Sequence, residues 1–155
     1  MPTSSVAHST FVIERQYPQS PTRVFSAFSD PAKKRRWMGG DADGFTIERF
    51  DMEFEVGRFE RWQFRFKGGE LITTEMMYQD IVPNQRIVFV YTMDFGDKRA
   101  SSSQTTIELI PDGTGTKLVF TEQGAFFDGV DQAAGREEGT RGLLDALATE
   151  LEQHT

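Results

Sequence analysis

The sequence predicts an α+β domain: a curved, seven-stranded antiparallel sheet gripping one long C-terminal helix, with two short helices between the first and second strands. Three observations predict it. In RFERWQFRFKGG (58–69), Trp62, Phe64 and Phe66 alternate with Arg61, Gln63, Arg65 and Lys67, the two-residue period of a strand with one dry face. Between residues 44 and 123, strand-like runs follow one another through short turns, which implies an antiparallel meander. Only QAAGREEGTRGLLDALATELEQ (132–153) has a helical pattern long enough to cover the greasy face of such a sheet.

The elements follow in order. Residues 1–9 are small and polar and read as a disordered tail, and FVIERQY (11–17) reads as the first strand. Ser20 before Pro21 is a helix start, a side-chain N-cap followed by proline at the first helical position. Asp30-Pro31 repeats the signal, so two short helices meet at a corner and end near Trp37 and Met38. GFTIERFDMEF (44–54) is the second strand and 58–67 the third; Gly68-Gly69 turns the chain into ELITTEMMYQDIV (70–82). Pro83-Asn84 leads to RIVFVYTMDF (86–95), then SSQTTIELI (102–110), a Gly-rich turn and TKLVFTEQ (116–123). No repeat, linker or low-complexity segment divides the chain, so residues 1–155 read as one domain.

Parity assigns the faces. One face carries Trp62, Phe64 and Phe66, then Ile87, Phe89, Tyr91, Met93 and Phe95, then Leu118, Phe120 and Glu122; the fourth strand keeps no single parity. On the long helix, Gly135, Gly139, Leu143, Leu147 and Leu151 recur every fourth residue. If that face meets the sheet, its glycines either let backbones approach closely or leave space opposite the aromatic strands. Fourteen Phe, two Trp and three Tyr are rigid rings that are hard to pack without gaps, which favours space. Glu122, in line with Phe120, needs a partner if it lies inside, and Tyr91 or Tyr78 could supply one.

Composition excludes much chemistry. A formal charge of −7 argues against a nucleic-acid partner. With no cysteine there is no disulfide, thiolate nucleophile or cysteine metal site, which fits a reducing compartment. No apolar run approaches the ~20 residues of a membrane span, and the N-terminus has no signal-like apolar stretch, so a cytoplasmic protein is expected. His8 and His154 both fall in expected tails, leaving no histidine for a base or metal site inside the fold. Serines 101–103 have no evident activating partner. Asp41, Asp43 and Asp51, and the basic run Lys33-Lys34-Arg35-Arg36, read as solvated. No catalytic constellation and no cofactor are expected.

Several segments together are similar to one known family. ERQYPQSPTRVFSAFSDPAKKRRWM, with Pro21, Val24, Phe25, Phe28, Pro31 and Trp37, matches its strand–helix–Trp pattern. FDMEFEVGRFERWQF with Gly57, MMYQDIVPNQRIVFVYT around Pro83, and TTIELIPDGTGTKLVFTEQGAF match its later segments in order and spacing. The chain, over about residues 11–152, resembles the SRPBCC (START/Bet v 1-like) superfamily, and within it the bacterial homologues of the C-terminal domain of the heat-shock protein 90 ATPase activator. The resemblance implies a helix-grip fold with an internal cavity that takes an apolar ligand in many members, and it implies no shared catalytic residues. Members often carry Gly-Trp in the last helix where this chain has Gly139-Thr140 and Gly142-Leu143, a difference that would enlarge the cavity.

The expected function is binding of a small hydrophobic or aromatic molecule for stress-related sensing or carriage. Its pocket would be lined by Trp37, Trp62, Phe64, Phe66, Met76, Tyr78, Phe89, Tyr91, Phe120, Glu122, Gly139 and Leu143. Two alternatives stand beside it. One is a chaperone-associated interaction module; the eukaryotic activators use an additional N-terminal domain with no counterpart in this sequence. The other is a polyketide cyclase- or dehydratase-like enzyme in which a tyrosine or carboxylate moves protons.

Overall fold

In the computed structural model, which describes residues 3–39 and 44–154, the expected order of elements is found. Strand β1 (Val6–Tyr17) is followed by helices α1 (Pro21–Ser29) and α2 (Pro31–Met38). Strands β2 (Phe45–Met52), β3 (Phe59–Phe66), β4 (Ile72–Val82), β5 (Arg86–Phe95), β6 (Lys98–Asp112) and β7 (Gly115–Phe127) follow, and helix α3 (Ala133–Gln153) closes the chain. The seven strands form one antiparallel sheet in the order β1-β7-β6-β5-β4-β3-β2, a meander whose first strand closes onto the last. Asp41 and Asp43 lie outside the described residues.

Local chemistry sets the boundaries. Ser20 Oγ accepts from the Arg23 amide at 3.3 Å, and Asp30 Oδ1 accepts from the Ala32 amide at 2.9 Å. Each capping side chain satisfies a first-turn amide that has no partner within its helix. The β3–β4 turn is made by Lys67 and Gly68, both at positive φ (51° and 70°), rather than by Gly68-Gly69. Gly115 marks a close approach, since a Cβ there would lie 2.4 Å from the Tyr17 carbonyl oxygen.

One expectation fails at the N-terminus. Residues 6–9 are not a tail: β1 begins at Val6 and pairs along its whole length with β7, placing exposed His8 opposite Ala125. All twelve residues of the strand pair with Thr116–Phe127 of β7, and edge pairing orders a sequence whose composition alone looks unstructured.

The core lies between the inner sheet face and the C-terminal half of α3. Ile13, Ile87, Ile107, Leu118 and Val24 are out of solvent, as are Leu144, Leu147 and Leu151 of the helix. Each of these leucines contributes roughly 1.5–3 kcal/mol by burial. Polar contacts pin this half of the helix. The Tyr17 hydroxyl donates to the Leu144 carbonyl at 2.8 Å, and Arg23 Nη2 donates to the Leu151 carbonyl at 2.8 Å, one of the last-turn acceptors left open by the helix. Arg36 binds Glu150 with two bonds of 3.1 and 2.6 Å.

Helix α3 is rotated relative to the expectation. The face toward the sheet carries Arg136, Thr140, Leu144, Leu147 and Leu151, all buried. Gly135, Gly139 and Gly142 are exposed, and a Cβ added at any of them would meet nothing within 4 Å. They neither admit a close backbone approach nor face the sheet. The Leu147–Leu151 pair belongs to both stripes, so the periodicity at the C-terminal end does not distinguish the two rotations.

Candidate functional site

Strand pairing arranges the inner face in rows across the sheet. One row runs Ile47, Phe64, Ile72 and Phe95. Two residues further along β3, β4 and β5, and three along β2 where a bulge follows Ile47, the next is Phe50, Trp62, Thr74, Met93 and Ser101. The row after that is Met52, Glu60, Met76, Tyr91, Ser103 and Gly124, and then come Tyr78, Phe89, Thr105, Glu122 and Phe11. A bulge between Tyr78 and Asp80 shifts the parity of β4, which is why its apolar residues follow no single alternation.

The first of these rows is an apolar mouth. Ile47, Phe64, Ile72 and Phe95 are all half-buried, and beyond them Phe45 and Phe66 pack together with ring centroids 5.0 Å apart while 36% and 44% exposed. Met93 of β5 and Leu143 of α3, also half-buried, pack against the core cluster.

Behind the mouth the inner face turns polar, in two clusters. In the first, Tyr91 donates its hydroxyl proton to Glu122 Oε2 at 2.9 Å and accepts from Arg136 Nη1 at 2.9 Å. Thr105 Oγ1 donates to the other Glu122 oxygen at 3.2 Å. Arg136 Nη1 stands 3.6 Å from Glu122, while Nη2 donates to Ser101 Oγ at 2.9 Å and to Asp131 at 2.8 Å. Burial pushes the Glu122 carboxyl above its ordinary value, against the opposing pull of Arg136 and the bonds from Tyr91 and Thr105. Burial, then the Glu122 charge, push the Tyr91 hydroxyl up as well.

The second cluster surrounds Glu60, whose side chain is fully buried. Lys34 Nζ lies 2.8 Å from Glu60 Oε1, the Tyr78 hydroxyl donates to the same oxygen, and Trp62 Nε1 donates to Oε2 at 2.7 Å. Burial first, and the Glu60 charge second, raise the Tyr78 hydroxyl far above the usual tyrosine range. Lys34 is therefore not part of a solvated basic face: it points inward from α2 and is 3% exposed. Phe89 sits between the clusters, its ring 6.2 Å from Tyr78 and 5.9 Å from Tyr91.

The residues expected to line a pocket thus divide. Met76, Tyr78, Phe89, Tyr91, Phe120 and Glu122 share the inner face and are buried, and Glu122 has Tyr91 as partner. Trp62 is buried at 3%, packed on Phe50 with ring centroids 4.0 Å apart and close to Gly39 at the end of α2, but Phe64 is half-buried and Phe66 is 44% exposed. Trp37 packs edge-on to Phe28 and donates to the Ala27 carbonyl at 2.9 Å, which ties α2 to α1. Leu143 stands at the flank of α3, and Gly139 lies on its outer side, away from the sheet. Two surface depressions, one against Asn84 and Pro111 and one against His8 and Gly124, include none of these residues.

Glu60, Lys34, Ser103, Thr105 and Arg136 escaped sequence reasoning. For Glu60 a signal existed, since it continues the inward parity of Trp62 and Phe64. Arg136 likewise falls on the helix face of Leu144 and Leu151. Both were obscured by their charge, which ordinarily marks a solvated position.

Comparison with known proteins agrees with this architecture. The Mll3558 protein from Rhizobium loti is 57% identical, with a TM-score of 0.87 over 94% of this chain and 99% of that one. A protein from Rhizobium leguminosarum is 37% identical, with a TM-score of 0.93 over 99% of this chain and 100% of that one. DynU16, a protein of the dynemicin biosynthetic locus, is 18% identical with a TM-score of 0.68, covering 93% of this chain and 47% of that one, a likeness of fold alone. No curated protein matches the chain. No helix among the described residues is long and apolar enough to cross a membrane. The family described as Activator of Hsp90 ATPase homolog 1-like protein matches residues 18–152, and the chain belongs to that family.

Proposed function

We propose that this protein binds a small hydrophobic or aromatic molecule between the inner sheet face and α3, entering at the mouth formed by Ile47, Phe64, Ile72 and Phe95. One observation carries the reading: a contiguous apolar row stays half-open on the same face that, deeper in, holds buried polar groups. A core serving stability alone would gain from apolar residues there, because Glu60, Glu122 and Arg136 must all be desolvated. An apolar surface with a few convergent polar groups is what recognition of a small ligand requires. The proposal is binding rather than turnover. Both inward tyrosines hold their protons tightly, and each is bonded to a carboxylate, which makes them poor proton donors.

The test is thermal unfolding against a library of neutral aromatic and aliphatic compounds, with native mass spectrometry of the freshly purified protein. A ligand at about 100 times its Kd stabilises by ~2.7 kcal/mol and raises the midpoint. Phe64→Arg, which places a charge in the mouth, should weaken a confirmed ligand by at least about tenfold. A library with no stabilising member, together with no co-purified small molecule, would sink the reading.

A further inference from the structure

The geometry points to a ligand whose buried end is a neutral hydrogen-bond donor, a phenol or alcohol hydroxyl on an apolar body, received by Ser103 and Glu122. This rests on the interior-binding reading above and specifies its chemistry. Ser103 is 5% exposed on the inner face of β6, and its hydroxyl has no hydrogen-bond partner among the described residues. Its neighbours across the sheet are Tyr91 on β5 and Gly124 on β7. A Cβ at Gly124 would come within 2.8 Å of Ser103 Oγ, so glycine there leaves the hydroxyl its place. Buried hydroxyls are normally paired, and one left open beside a half-used carboxylate is suited to an incoming group. Glu122 is half-used in this sense: each oxygen takes one hydrogen bond, from Tyr91 and from Thr105, while a carboxylate can accept about four.

Charge decides which group fits. Arg136 is the cation of this cluster and already faces two carboxylates, Glu122 at 3.6 Å and Asp131 at 2.8 Å. A ligand carboxylate would add a third negative charge around one positive one. A ligand ammonium would be stripped of water beside Arg136. A hydroxyl supplies the missing donor to Glu122 or Ser103 and leaves the charge balance alone. Length follows from the rows: the mouth row and the Ser103 row are four residues apart along the strands, about 13 Å. That is the span of a molecule of two or three rings.

The test is equilibrium dialysis of the full chain with four probes of one shape: biphenyl, 4-phenylphenol, biphenyl-4-carboxylate and 4-phenylbenzylamine. Wild type should bind 4-phenylphenol about tenfold more tightly than biphenyl, the effect of one buried hydrogen bond. Both charged probes should bind more weakly than the phenol. Ser103→Ala and, independently, Glu122→Gln should bring the phenol and biphenyl affinities together, with circular dichroism confirming the fold of each. Tighter binding of the carboxylate or the ammonium overturns the inference. So does biphenyl binding as well as the phenol in wild type, although interior binding itself would then stand. No binding of any probe removes both.

Discussion

Lys34 on α2 and Glu60 on β3 form an ion pair of 2.8 Å in which neither side chain reaches solvent beyond 4%. The pair joins the helical corner to β3, one strand in from the β2 edge of the sheet. Glu60 is also the acceptor for Tyr78 and Trp62, so one carboxylate organises three elements.

Such a pair is costly to break from one side. Lys34→Met should destabilise the domain by about 3–5 kcal/mol, because it leaves a buried carboxylate without its cation. Adding Glu60→Gln to it should restore a large part of that loss, since an uncharged amide can still accept from Trp62 through its oxygen and donate to the Tyr78 hydroxyl through its NH2. Chemical denaturation of the two single variants and the double gives the coupling; additive losses would show that the pair does not act as a unit.

Glu122 predicts a pH dependence. Its folded-state carboxyl lies above the ordinary value of 4.5, so the protonated form is favoured by folding. The resulting stability is fully present below the unfolded value and is lost as pH rises through the folded one, at about 1.4 kcal/mol per unit of difference between them. Wild type measured against Glu122→Gln should therefore lose relative stability as pH is raised from 4 toward neutrality. A relative stability that grows over that interval would mean that Arg136 and the donated hydrogen bonds outweigh burial.

Gly139 separates the two rotations of α3. On the solvent side, Gly139→Leu meets no neighbour and improves helix propensity by up to about 1 kcal/mol. The thermal midpoint should rise by roughly 2–4 °C for a domain of this size, with no effect on a bound ligand. A lowered midpoint would put that residue against the sheet.

What the sequence by itself determined is the architecture and much of the face assignment. Alternation in β5 and β7 placed Phe89, Tyr91, Phe120 and Glu122 on one inner face, and turn chemistry at Asn84 and Gly113 set the meander. These are local matters: a period of two and a φ requirement are carried by residues adjacent in the chain. Tertiary structure decided the rest. Which side of α3 meets the sheet depended on Arg136, whose partners Tyr91 and Ser101 lie 45 and 35 residues away. Lys34 reads as solvated because a charge is stable in water, and only Glu60, 26 residues distant, made the interior its lower-energy place. Trp62 lies inside because Phe50 and Gly39 at the end of α2 pack against it, contacts that strand alternation does not carry, while Phe66 stays outside. The seat of α3 likewise belongs to no strand and is fixed where Tyr17, Arg23 and Arg36 hold its C-terminal half.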